Sequence, residues 1–306
     1  MGNIKIEMHA YPKIFAVGTV KGPQILGKEV EITEKIDGSQ FVFAKIEGVL
    51  QARSKGALIN LDNPPKLFKE AVETIQTLEK RGWINNNKVY YCEYLQKPKH
   101  NTIKYDKVPF NHLALFGCKD KEGFYDYASI KYEAIYLGCD VVPLLHQGTI
   151  TEQAIINLLE TDSYLGGSKI EGVVIKCYEP FMYGNIPFPI SCLKYVSEKF
   201  RESNQKSWKE RKANEGIEGY LKSLGTTARW EKAYQHLRET EQLEYATKDI
   251  GSLISEVIKD VIEEEKENLM SLLWKKYERQ LKGSVVKGLP EWYKNKLMND
   301  AFKEAK

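Results

Sequence analysis

Val30-Glu31-Ile32-Thr33-Glu34-Lys35-Ile36-Asp37-Gly38-Ser39-Gln40-Phe41 is the stretch that decides the fold. Val30 and Ile32 alternate with Glu31 and Thr33, the period-two pattern of a strand with one buried face. Asp37-Gly38 is a turn signal: glycine reaches backbone angles closed to other residues, and aspartate bonds its own backbone. A second strand, Gln40 to Ile46, follows, and Glu47-Gly48 turns into a third. The stretch is therefore two strands joined by a tight turn, with Lys35 at the end of the first; the bland alternative is a solvent-exposed hairpin lysine. K-x-D-G alone arises by chance in about one chain of this length in ten, so the surrounding residues must decide its meaning.

Working outward, Leu67, Phe68, Ala71, Val72, Ile75 and Leu78 recur near helical spacing and predict a helix over residues 65–80, stopped by Gly82. Lys88 to Leu95 and Asn111 to Cys118 read as strands, the second returning through Lys119 to Gly123 into Phe124 to Tyr127. A short helix is expected over residues 151–160. Gly166-Gly167-Ser168 then breaks the chain before a buried strand, Ile170 to Tyr178, and a last strand, Ile190 to Val196. After about Ser197 the alternation gives way to charged stretches with helical spacing. Over residues 250–281 Leu253, Ile254, Val257, Ile258, Val261 and Ile262 are expected to form an apolar face opposite Glu263, Glu264 and Glu265. The expected class is α+β: an antiparallel-sheet domain over residues 1–200, then a mostly helical domain over 201–306.

The 306 residues are 42% hydrophobic and 28% charged, a globular composition that excludes wholesale disorder. Forty-five basic against 42 acidic residues give a net charge of +3, so any polyanion site is a local patch. No apolar run approaches the roughly 18 residues of a membrane span, and residues 1–11 lack a signal-peptide centre, so a cytoplasmic setting is expected. Cys92, Cys118, Cys139, Cys177 and Cys192 are odd in number and never spaced C-x-x-C, which excludes a zinc or disulfide frame and leaves free thiols.

Beyond this turn, Arg53 lies in Gln51-Ala52-Arg53-Ser54-Lys55, Glu93 in Tyr91-Cys92-Glu93-Tyr94, and Phe116 in the next strand. Glu171-Gly172-Val173-Val174-Ile175-Lys176 and Leu193-Lys194-Tyr195 come later. This order resembles the collinear motifs of the covalent nucleotidyltransferases, the superfamily of ATP-dependent ligases and messenger-RNA capping enzymes. Thr33 to Phe41 looks most like the RNA ligases related to the phage T4 nick-sealing enzyme and the kinetoplastid editing ligases. DNA ligases and capping enzymes continue into an OB-fold, whereas this tail reads as helices. A DNA ligase core, a capping guanylyltransferase and a catalytically inactive nucleic-acid-binding relative stand as alternatives.

The resemblance implies a role for each matched residue. Lys35 is the nucleophile that forms lysyl-AMP, and Glu34 contacts the adenine amino group. Arg53 and Glu93 contact the ribose hydroxyls, Phe116 stacks on adenine, and Glu171 helps to hold the metal. Lys176 and Lys194 bind the α-phosphate, and Gln40 stands where relatives often carry Asn near the phosphates. It implies ATP as AMP donor, Mg²⁺ with Mn²⁺ as substitute, and RNA with 5′-phosphate and 3′-hydroxyl ends, a nicked duplex being one form; a monomer is the default. Two positions depart from the pattern: Lys194-Tyr195-Val196 lacks the second lysine of K-x-K, and Gly117 follows Phe116 where relatives often have Asp.

The chemistry accounts for the residue types independently. A free lysine has a pKa of about 10.4 and attacks phosphorus only when unprotonated, so the site is expected to depress it. Lys176, Lys194, Arg53 and Mg²⁺ are expected to supply the positive charge that does so. In the tail Lys206, Trp208, Lys209, Arg211, Lys212, Trp230, Lys275 and Lys276 are expected to grip polynucleotide phosphates.

Overall fold

The computed structural model describes residues 6–17, 19, 22–25, 27–197 and 216–304. Its strands are β1 (Phe15–Ala16), β2 (Val30–Lys35), β3 (Ser39–Ile46), β4 (Val49–Ser54), β5 (Leu58–Ile59), β6 (Lys88–Tyr94), β7 (Leu113–Lys119), β8 (Asp140–Val141), β9 (Leu144–Gly148), β10 (Gly172–Cys177), β11 (Phe181–Tyr183), β12 (Ile186–Phe188) and β13 (Ser191–Val196). The helices are α1 (Lys69–Lys80), α2 (Tyr127–Leu137), α3 (Glu152–Leu158), α4 (Gly216–Ser223), α5 (Thr227–Glu239), α6 (Asp249–Val285) and α7 (Leu289–Glu304). The chain is thus α+β, strand-rich first and helical after.

Two sheets carry the first part. One has the order β1-β13-β10-β2-β9 and the other β5-β4-β3-β6-β7-β8, with β11 and β12 forming a separate hairpin. Pairing is antiparallel except where the short β1 and β8 join as parallel edges. The turn between β2 and β3 links the sheets, because β2 lies in the first and β3 in the second and the two strands do not pair with each other. Lys35 therefore sits where the chain crosses between them.

Strand alternation distributes the three larger of four buried apolar clusters, the fourth lying around Ile36, Ile103 and Tyr105. Phe41, Phe43, Tyr90 and Leu115 on the outer face of the second sheet pack under Ile75 and Leu78 of α1 and Ile130 of α2. Ile32, Val173 and Ile175 on the outer face of the first sheet pack with Ile155 of α3. Val42, Ala44, Val89 and Tyr91 meet Cys192 and Tyr11 between the sheets. Each large aliphatic side chain so buried contributes about 1.5–3 kcal/mol over its exposed state.

Most expected elements are present, and two readings need correction. Phe124 to Tyr127 is not a strand: only a bridge joins Lys119 to Phe124, and Asp126 instead caps α2 by accepting from the Ser129 N–H at 2.9 Å. On α6 Ile254, Ile258 and Ile262 are 56%, 53% and 55% exposed, whereas Glu265 is buried. The reason is Arg229 on α5, 1% exposed, which pairs with Asp260 and with Glu265 at 3.3 Å. His236 adds Glu256 at 2.7 Å and Lys232 adds Asp260 at 2.7 Å. A buried guanidinium has to be paired, so Asp260 and Glu265 of α6 turn towards α5, while Ile254 and Ile258 border an open groove beside Trp230 and Tyr234. No described helix is long and apolar enough to cross a membrane. All five cysteines are free.

Candidate active site

Lys35 ends β2 on the face that looks between the sheets. Its register partner is Gly172 of β10, and a glycine is required there because an added Cβ would lie 2.4 Å from the Tyr195 carbonyl oxygen and 2.8 Å from Val196 Cα. That close approach delivers Glu171, the preceding residue, to Lys35: Nζ donates to Glu171 Oε2 at 2.6 Å, with the two side chains 27% and 13% exposed.

The turn after Lys35 is held by the neighbouring loop. The Asp37 carboxylate accepts the N–H groups of Thr102 and Ile103, each at 2.7 Å, and the Asp37 N–H donates to the Tyr105 hydroxyl at 2.9 Å. The Gly38 N–H donates to Glu93 Oε1 at 3.0 Å. A Cβ on Gly38 would meet the Tyr94 carbonyl oxygen at 2.7 Å and Glu93 Cγ at 2.8 Å, which explains the Asp-Gly sequence by space.

The charge around Lys35 is opposite to the expectation. Burial pulls its pKa down, but Glu171, Glu93 and Asp37 outweigh burial and the net shift is upward. The amine is held as an ammonium. Burial raises Glu93 to about 8 against the opposing pull of Lys35, with Glu171, Glu239 and Asp37 adding to the rise. Burial likewise raises Glu171 to about 7, again opposed by Lys35. Among the predicted site lysines the depressed one is Lys176, 2% exposed and lowered by its burial.

The remaining predicted residues fall into separate groups. Gln40, Arg53, Glu93 and Phe116 extend from the second sheet; Gln40 lies opposite Glu93 and Arg53 opposite Val42. Phe116 is the extra residue at the irregularity in the β6–β7 pairing. Its ring packs edge-on to Tyr11, centroids 5.0 Å apart, and its carbonyl accepts from Lys176. Gln40 Oε1 accepts the Tyr11 N–H at 3.2 Å. The hydrogen bonds of Arg53 go to the carbonyls of Ser54 at 3.1 Å and Lys55 at 3.4 Å, not to the Lys35 cluster. Lys194 lies on β13 opposite Val174 and its charge acts on Glu171. Glu34 turns to the opposite face, where it accepts from Ser163 Oγ at 2.5 Å and the Tyr164 N–H at 3.2 Å; burial raises its pKa.

Sequence spacing gave no hint of Tyr11, which fills the space between Phe116, Tyr91 and Phe124, nor of Tyr105 under Asp37. In the tail, Lys206, Trp208, Lys209, Arg211 and Lys212 lie outside the described residues, as does the boundary expected near residue 200. Trp230 is 55% exposed beside the isoleucine face of α6, and Lys275 and Lys276 are on the exposed part of α6.

Among the described residues no three His, Cys, Asp or Glu side chains form a metal cage. Glu93 and Glu171 are a different donor set: two carboxylates beside the amine, with the charge of Glu171 acting on Glu93. That suits a hard divalent cation, which keeps several waters and takes its other ligands from substrate phosphates.

No curated protein sequence matches the chain significantly. Among solved structures it is similar to the Naegleria gruberi RNA ligase. An apo mutant of that ligase shares 17% identity over 64% of this chain and 58% of that one, with a TM-score of 0.49. The pyrophosphate-bound form shares 17% over 62% and 56%, with a TM-score of 0.48. A mutant with ATP and manganese shares 17% over 57% and 51%, with a TM-score of 0.45. The chain spans little more than half the length of these proteins. Residues 28–196, from just before β2 to the end of β13 and more than half of the sequence, match the family model described as RNA ligase, and the chain belongs to that family.

Proposed function

We propose that this protein is an ATP-dependent RNA ligase that carries AMP on Lys35. The observation that carries the reading is the juxtaposition of Lys35 with Glu171 at 2.6 Å, in a chain whose RNA ligase family match spans both residues. In the first step Lys35 Nζ forms a bond to the α-phosphorus of ATP, the bond to pyrophosphate breaks, and Nζ loses a proton. AMP then passes to an RNA 5′-phosphate. A 3′-hydroxyl attacks that phosphorus, and AMP leaves as the strand is sealed.

The residues present bear on the first step as follows. Glu171 and Glu93 hold Lys35 as a cation oriented by a charge-assisted hydrogen bond. Neutralising these two carboxylates removes the strongest influences that raise its pKa and leaves Asp37 alone against burial, which lowers it. Glu171 and Glu93 are the groups that would hold Mg²⁺ or Mn²⁺. A divalent cation bound there supplies Lewis-acid polarisation of phosphoryl oxygens. Lys176 and Lys194, on the same face of the first sheet as Lys35, would neutralise the α-phosphate. Phe116 would stack on adenine after Tyr11 shifts from its ring. Arg53 would release its strand carbonyls to reach the ribose alongside Glu93. Gln40 would lie towards the phosphates, and Glu34 would exchange Ser163 for the adenine amino group.

Within the family we read the chain as nearest to the phage T4 nick-sealing and kinetoplastid editing ligases, on Thr33 to Phe41 and on the helical tail. The functional division follows: an adenylation domain over residues 1–200 and a helical domain over 201–306. The sealing step is tested by offering nicked-duplex, single-stranded and DNA forms of one labelled strand with a 5′-phosphate. RNA ends joined with ATP and Mg²⁺ support the reading. Joining of DNA ends alone, or GTP in place of ATP, contradicts it.

A further inference from the structure

The last turns of α5 press on the outside of the Lys35 turn. Gln235 Nε2 donates to the Gly38 carbonyl at 3.0 Å and to Glu239 Oε1 at 2.8 Å. Asn101 Nδ2 donates to the same Gly38 carbonyl at 2.7 Å, and Asn101 Oδ1 accepts from Arg238 Nη2 at 2.6 Å. Ser39 Oγ donates to Glu239. Gln235 and Glu239 are four residues apart and share one helix face, so a single face of α5 meets two consecutive residues of the turn.

The hydrogen-bond directions are fixed along this contact. The Gln96 N–H donates to His100 Nδ1 at 2.9 Å, which places the ring proton on Nε2. That nitrogen donates to Ser39 Oγ at 2.9 Å, leaving the Ser39 proton for Glu239. Glu239 is 7% exposed and is satisfied here by a hydroxyl and an amide. Burying a carboxylate is costly unless it is paired or hydrogen-bonded. What this one fixes is Ser39, four residues from the nucleophile.

The Gly38 peptide is consequently gripped from both sides. Its N–H is taken by Glu93 inside the site, and the Gly38 carbonyl by Gln235 and Asn101 outside it. We infer that Gln235 and Glu239 of the C-terminal helical part are positioning residues for adenylation, setting the Asp37–Ser39 turn and through it the placing of Lys35 against Glu93. This rests on Lys35 being the nucleophile. Gain or loss of α5 contact would then couple the helical part of the chain to the first chemical step, a task separate from gripping RNA.

The test is the single-turnover rate of AMP transfer from ATP to the full-length protein, without RNA, for wild type, Gln235→Ala, Glu239→Ala and Glu239→Gln. Misplacement of a reacting group by about 1 Å costs on the order of 100-fold. The two alanine variants are expected to lose roughly 10- to 100-fold in rate with the KM for ATP held within about twofold. Glu239→Gln keeps an acceptor for Ser39 and is expected to recover most of the rate. Gln235 is only partly buried, so Gln235→Ala tests the inference even if Glu239→Ala does not fold. Wild-type rates in folded Gln235→Ala overturn it, as does a loss confined to KM or a Glu239→Gln no better than Glu239→Ala. Absence of AMP transfer by wild type removes the nucleophile reading itself, which separates the two failures.

Discussion

A primary amine is a nucleophile only after it loses its proton, and Lys35 stands between two carboxylates that keep it protonated. That local charge was not legible in the sequence. The lysines and arginine of the motifs suggested a cationic surround, but strand register sends Lys176 to the Phe116 carbonyl and lets Arg53 fold back on its own strand. The sequence named Lys35 and Glu171 separately, and what pairs them in the fold is Gly172. With alanine there, Cβ would strike the backbone of Tyr195 and Val196, which cannot yield without parting β10 from β13. Gly172→Ala is expected to cost about 2 kcal/mol or more, at the upper part of the overpacking range. Thermal denaturation should show the loss, and a variant as stable as wild type would refute the close-approach explanation.

The elements were mostly readable because each has a strong apolar pattern. The run Phe41-Val42-Phe43-Ala44, buried on both faces, marks β3, and Ala71, Val72, Ile75 and Leu78 mark α1, as their burial shows. α2 was available in the same terms, since Ile130, Ala134 and Leu137 recur at helical spacing before Gly138, but the aromatic run from Phe124 to Tyr127 imitates a strand. The loop that braces the Asp37 turn has no period at all, and its anchor is His100. Burial, reinforced by Arg238 and Lys97, holds this imidazole down to about 3. A folded-state pKa below the unfolded value of about 6.5 gives stability that is present above pH 6.5 and is lost as pH falls towards 3. At pH 5 the loss should be on the order of 2 kcal/mol. Replacing the titrating ring by His100→Gln should flatten the stability profile between pH 7 and 5. Denaturant unfolding at several pH values measures that slope, and equal slopes in the two proteins would contradict the buried neutral histidine.

At the scale of the whole molecule, the helical part is held to itself by charge and to the sheets by α5. Periodicity foretold its helices but not their orientation, because apolar spacing cannot reveal that Arg229 is buried and draws Asp260 and Glu265 inward. Arg229→Ala would leave those carboxylates unpaired and should cost about 3–5 kcal/mol. Thermal melts should show the helical part unfolding earlier, while an unchanged melt would mean that the ion pairs do not organise α5 against α6. The proposal to which the two sheets, the crossing turn and the docked helix are referred is that Lys35 accepts AMP. The direct measurement is incubation of wild type and Lys35→Ala with α-labelled ATP and Mg²⁺, followed by denaturation and detection of label on the protein. Label that survives acid on wild type and is absent from Lys35→Ala is the expected result; equal labelling of both proteins, or of neither, would contradict the account.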